Sequence, residues 1–140
     1  MSRRLARETC FKLMFEYEFL HQKNDLTLAE FLDDDNLEQE DKDFVISEYD
    51  GLIKHDAEVT DIISKYLKGY TINRIYKIDL SILKIAIYEI LFSSLKTPSN
   101  VVINEAVELA KKYSTDKSYS FVNGVLASVV GGLDNAKQSD

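Results

Sequence analysis

The sequence predicts an all-α fold, and three observations carry that expectation. A single proline and five glycines in 140 residues leave few helix breakers. Apolar side chains recur every three or four positions through segment after segment. Capping residues and glycines stand where those segments should start or stop. A chain of this length makes one domain that buries roughly two thirds of its unfolded surface. Its 45% hydrophobic and 29% charged residues exclude a disordered polymer.

Residues 3–20 set Leu5, Ala6, Cys10, Leu13, Met14, Tyr17 and Leu20 on one stripe, the pattern of an amphipathic helix. Thr27 and Glu30 have capping-box spacing and predict a short helix to Leu32, followed by an acidic loop from Asp33 to Glu38. From Gln39 the stripe Phe44, Val45, Tyr49, Leu52, Val59, Ile63, Tyr66, Leu67 holds register except at Asp56. That predicts one long helix to Lys68, bent near Gly51 and stopped by Gly69. Ile78 to Phe92 is apolar at almost every uncharged position and should be the most buried helix. Thr97-Pro98 is an N-cap and first-turn pair for a helix through Tyr113, with Val102, Ala106, Leu109 and Tyr113 inward. Ser118 caps a last helix carrying Phe121, Val122, Val125, Leu126 and Val129, ended by Gly131-Gly132, with a polar tail over 134–140. There is no internal repeat.

The net charge of −7 is unevenly spread. Residues 25–61 hold 14 of the 24 acids and only Lys42 and Lys54 as bases, a local charge of −12 that leaves +5 elsewhere. The block reads as a solvated helix face plus loop. Overall acidity argues against a nucleic-acid partner, but contact is local and a basic face can coexist with an acidic one. The single Cys10 excludes an intrachain disulfide framework and suits a cytoplasmic protein. Glu89 interrupts the longest apolar run, Ile82 to Phe92, so no segment approaches the roughly 20 residues of a membrane span. The N-terminus lacks the apolar core of a signal peptide.

Catalysis finds little support. His21 and His55 stand alone, without partners at metal-ligand spacing, and no phosphate loop or serine elbow is present. No metal, cofactor or enzymatic activity is expected. Asn104, Glu105 and Glu108 share a helix, but Glu108 reads as solvent-facing, at pairing distance from Lys111 and Lys112. The first helix is more telling. Arg3, Arg4 and Arg7 crowd its first two turns, where cations oppose the macrodipole at a cost of about 0.3–1 kcal/mol each. A sequence that accepts this conflict usually gains elsewhere, as in phosphate contacts, although Glu8 can neutralise part of the cluster. Lys111, Lys112 and Lys117 flank Tyr113 and Tyr119, and the helix start at Ser118 offers an anion site. Phosphates take Lys and Arg while splayed bases take aromatic faces, so this combination suits single-stranded RNA. Equally, Tyr113 and Phe121 can be core residues and the lysines ordinary solubilising charges.

Three stretches together resemble the NusB family of bacterial transcription antitermination factors: Arg3-Arg4-Leu5-Ala6-Arg7-Glu8; Gly69-Tyr70-Thr71 through Ile82-Leu83-Lys84 and Ala86-Ile87-Tyr88-Glu89; and Pro98 through Ile103-Asn104-Glu105-Ala106-Val107-Glu108-Leu109-Ala110-Lys111 to Phe121-Val122-Asn123-Gly124-Val125-Leu126. They span 60 of the 140 positions, and the asparagine-glutamate-alanine and phenylalanine-valine-asparagine-glycine runs are the specific ones. The resemblance implies about seven helices in two small three-helix subdomains, 1–69 and 70–133. It implies binding of boxA RNA together with the small-subunit ribosomal protein NusE, within an RNA polymerase antitermination complex on ribosomal RNA operons. Carried over by position, the RNA-facing residues are Arg3, Arg4, Arg7, Tyr113, Lys117 and Phe121, while Asp79 and Lys84 match positions near the meeting of the RNA and NusE surfaces.

The chain departs from the family at several points. Tyr70 stands where many members have tryptophan, and Leu80 and Lys84 where arginine is common; lysine keeps the charge but loses the two-pronged fork. Lys117 replaces an aspartate of some relatives, which is expected to strengthen RNA affinity. Family members differ in whether the free protein is a homodimer. The alternative to RNA binding is a protein-only helical docking module whose acidic block attracts a basic ribosomal protein. A similar domain precedes a catalytic domain in some ribosomal RNA cytosine methyltransferases, but no glycine-rich cofactor loop occurs before Asp140, so a free-standing enzyme is not expected.

Overall fold

The computed structural model describes residues 2–69 and 71–139, with side chains from 3 to 133; Tyr70 and the side chains of the polar tail lie outside them. The described residues form seven α-helices and no strand: α1 (Ser2–Leu20), α2 (Asp25–Leu32), α3 (Gln39–Lys54), α4 (Asp56–Tyr66), α5 (Lys77–Leu91), α6 (Ser99–Tyr113) and α7 (Ser118–Ser139), with a 3₁₀ turn at Ile72–Arg74 before α5. None of these helices is long and apolar enough to cross a membrane.

Local signals differ from expectation in several places. Pro98 rather than Thr97 holds the N-cap position of α6, with no side-chain cap, and Ser118 is the first residue of α7, its hydroxyl donating to Asp79. Asn24, not Thr27, caps α2, its side chain accepting from the backbone N–H groups of Leu26 and Thr27; the Thr27 hydroxyl instead donates to Glu16 at 3.0 Å. The long helix expected over 39–68 is two helices, broken at His55 rather than bent at Gly51. The one out-of-register residue, Asp56, is the first residue of α4, and its carboxylate accepts from Lys84 at 2.7 Å. Finally, α7 runs through Gly131-Gly132 to Ser139; Gly132 packs against Tyr66 of α4, where an added Cβ would lie 2.0 Å from the tyrosine Oη, so the glycine serves close packing rather than a stop. Helix α4 ends at Tyr66 with Leu67 as its C-cap, short of the expected stop, and Gly69 bends the chain beyond it with a φ of +84°.

Two apolar clusters form the interior. Ala6, Cys10, Leu13 and Met14 of α1 pack with Leu28, Leu37, Phe44, Val45, Tyr49 and Leu52 of the α2–α3 region. The other cluster joins α4, α5, α6 and α7 around Ile63, Ile82, Leu83, Ile87, Val102, Ala106, Val122 and Leu126. Val59 and Ile63, which precede the boundary expected at 69, lie in this second cluster. Two helices serve both. On α1, Phe11 and Phe15 face the second cluster from beside the predicted stripe, and on α5, Tyr88 joins the first. Helix α5 is buried on nearly every side, as its composition required.

Candidate nucleic-acid interface

The three arginines of α1 have different fates. Arg3 turns toward α3, its Nε 2.9 Å from Asp41 Oδ1 and its guanidinium 4.3 Å from the Phe44 ring centroid. Arg7 is 8% exposed and crosses to α5, donating from Nε and Nη2 to the two Glu89 oxygens at 3.0 and 2.6 Å. Burial alone would lower the Arg7 pKa, but the Glu89 carboxylate raises it above the ordinary value. Arg4 is the exposed member, donating to both oxygens of Glu105 on α6 at 3.1 and 3.3 Å.

One turn along α1, Glu8 accepts from Lys112 Nζ at 2.9 Å and from the Tyr113 hydroxyl at 2.6 Å. Burial opposes the Glu8 charge, yet these two donors hold its carboxyl below the usual range. The Tyr113 ring sits 5.0 Å from that of Phe11, so it is half core and half surface. Arg4, Arg7, Glu8, Glu105, Glu108 and Lys112 line a shallow groove of about 230 Å³ in which both signs of charge are balanced.

Beyond Tyr113 the balance changes. Arg74, Tyr76, Asp79, Lys117, Ser118 and Phe121 line a pocket of about 300 Å³. Arg74 and Lys117 are exposed and form no ion pair with a described residue, and Tyr76 is 64% exposed. Asp79 is on this pocket's wall but is 3% exposed: its oxygens accept from the Ser114 and Ser118 hydroxyls at 2.6 and 2.8 Å. A carboxylate of the chain itself thus sits near the start of α7, held by two serine hydroxyls, beside the place where an anion was expected.

Asp79 and Lys84 do not form a partner-facing pair. Lys84 is 4% exposed, its ammonium held between Glu18 of α1 and Asp56 of α4 at 2.6 and 2.7 Å. An ammonium can be buried only with such partners, and here it ties three helices together. Asp79 likewise fastens α5 to the joint between α6 and α7.

The chain matches the NusB family profile over residues 3–131. It belongs to the NusB family. The transcription antitermination protein NusB of Ruminiclostridium cellulolyticum is 42% identical to this chain over 132 residues, covering 94% of this chain and 90% of that protein. Among solved structures, T. maritima NusB superposes with a TM-score of 0.84 at 34% identity, covering 92% of this chain and 90% of that one. A crystal structure of antitermination factors NusB and NusE in complex with dsRNA superposes with a TM-score of 0.82 at 26% identity, covering 93% and 96%.

In this NusB-family chain, Lys117, Phe121 and Asp79 line one pocket, Arg4 and Arg7 line a separate groove, and Tyr113 is tied to that groove through Glu8. The contacts from Arg4 to Glu105 and from Glu8 to Tyr113 fasten α1 to α6, and Asp79, bonded to Ser114 and Ser118, fastens α5 to the joint before α7. Arg3 and Lys84 line neither cavity. Sequence reasoning missed Arg74 and Tyr76, and also Lys77, whose Nζ lies 5.5 Å from the ring centroid of the exposed Phe19. An Arg, a Tyr and a Lys within four residues before an apolar helix was the available signal.

Proposed function

We propose that this protein is a transcription antitermination factor that binds boxA-type single-stranded RNA together with ribosomal protein NusE, and promotes processive transcription of ribosomal RNA operons as part of an RNA polymerase antitermination complex. It acts in the cytoplasm as a binding protein rather than an enzyme. The observation that carries the RNA reading is the pocket in which Arg74 and Lys117, without an ion pair among the described residues, stand beside Tyr76 and Phe121. Cations supply phosphate contacts and rings supply stacking, the two things an unpaired strand requires. The relative solved with NusE and dsRNA supports both partners; the exposed Tyr76 ring favours a single strand here, because a base must leave its duplex to stack on it.

Of the arginines, Arg4 is the one positioned to reach RNA, after exchanging Glu105 for a phosphate, while Arg7 supports the site from within. Titration of labelled boxA RNA, a scrambled oligomer and a boxA duplex, with and without NusE, tests the proposal. Single-stranded boxA should bind best, most tightly with NusE. With about three to five phosphates neutralised, the slope of log affinity against log salt should be roughly −2 to −4. Lys117→Asp should weaken binding and flatten that slope by about one. A slope near zero, with NusE binding intact, would instead identify a protein-only docking module.

A further inference from the structure

The asparagine-glutamate-alanine and phenylalanine-valine-asparagine-glycine runs are the most distinctive of the chain, yet neither asparagine takes part in the interface above. Asn104 of α6 and Asn123 of α7 line the same groove between those helices, about 470 Å³ in volume. Both are exposed, and neither amide hydrogen-bonds to a described residue. Asparagine is a poorer helix former than the Glu or Lys that usually fills a solvated helix position, so two of them facing one groove need a reason. Tyr119, 40% exposed, and Lys111 stand at the same groove, with Lys111 Nζ 5.3 Å from the ring centroid. Lys111 is otherwise held only loosely, by Glu108 at 3.7 Å.

An aromatic face, an ammonium and two amides that each offer a donor and an acceptor together match a nucleotide: the ring takes the base, the ammonium the phosphate, and the amides the polar edge of the base. An extended peptide could use the amides but not the cation and ring in the same way. We propose that this groove takes one or two further nucleotides of the bound RNA, with a base stacked on Tyr119 and read by Asn104 and Asn123. The proposal rests on the RNA-binding function above. The first turn of α7 lines both cavities, Lys117, Ser118 and Phe121 facing the pocket and Tyr119, Ser120 and Asn123 the groove, so one strand passing this helix start can reach both.

The test compares boxA RNA alone with boxA RNA extended by three unpaired nucleotides at either end, using the full-length protein with NusE. One of the extended RNAs should bind wild type about tenfold more tightly than the core, as stacking of a single base allows. Tyr119→Ala and the double variant Asn104→Ala/Asn123→Ala should abolish that gain while leaving core binding and NusE affinity unchanged, and their melting temperatures show whether the fold is intact. Should neither extension add affinity, or the gain survive in Tyr119→Ala, the groove is not a nucleotide site. Loss of NusE affinity in these variants would make it a protein contact and overturn the proposal too. Failure of the core RNA itself to bind wild type would refute the function proposed above and this inference with it.

Discussion

Arg7 and Glu89 join α1 to α5 through two parallel hydrogen bonds in a region that excludes water. Truncation leaves a buried carboxylate with no partner, so Arg7→Ala should cost about 3–5 kcal/mol in chemical denaturation. A second carboxylate lies close by. Glu48 of α3 is buried among Arg7, Cys10 and Glu89, and burial, reinforced by the Glu89 charge, raises its pKa to about 7. The folded state therefore favours the neutral form. The stability this provides is complete below the ordinary carboxyl value and is lost as pH rises through about 7. Glu48→Gln keeps the neutral form at every pH. Relative to wild type it should match stability near pH 4.5 and exceed it near pH 8 by about 2–3 kcal/mol, read as the difference in urea midpoints at the two pH values.

At the scale of helices, close contacts decide what a glycine is for. Gly51 on α3 faces Tyr88 of α5, and an added Cβ would lie 1.8 Å from the tyrosine Oη. Tyr88 is buried, with its ring 6.0 Å from those of His55 and Phe92. Gly51→Ala should therefore destabilise by about 1–2 kcal/mol, overpacking outweighing the gain in helix propensity. Gly131 on α7 meets nothing within 4 Å, so Gly131→Ala should stabilise by up to about 1 kcal/mol, both glycine variants being compared with wild type in thermal melts. The two glycines look alike in the sequence. Helix positions were legible there because periodicity and caps are local; the break at His55 was not, although Asp56 marked it, because what recruits Asp56 is Lys84 of a distant segment. The site followed the same rule. The cations and rings around Lys117 could be read from neighbouring positions, whereas the capture of Arg7 by Glu89 and of Asp79 by Ser118 joins residues 82 and 39 positions apart. A stripe of apolar residues says which face turns inward and nothing about which partner it meets.

Across the whole molecule, α5 is the shared wall of both clusters: Ile85 and Phe92 pack against each, and Lys84 and Glu89 anchor α1 and α4 to it. Neither cluster can open without exposing this helix, so thermal unfolding should be a single transition, with far-UV dichroism and tyrosine fluorescence coinciding. Lys84→Ala, which leaves Glu18 and Asp56 facing each other, should lower the melting temperature by roughly 10 °C, from a loss of about 3 kcal/mol. A midpoint within a degree or two of wild type would show that the pair is solvated.

The acidic stretch over 25–61 covers α2, α3 and the first half of α4, with ten of its fourteen carboxylates exposed, while Arg74, Lys77, Lys112 and Lys117 belong to the α5–α7 side. Charge divided in this way gives the molecule a negative end. A polyanion diffusing toward it is repelled from one end and turned toward the other before any contact forms, so encounters begin in a biased orientation. Association should therefore slow steeply with added salt while dissociation changes little, and replacing exposed acids far from the RNA face should alter the rate of arrival rather than the lifetime of the complex.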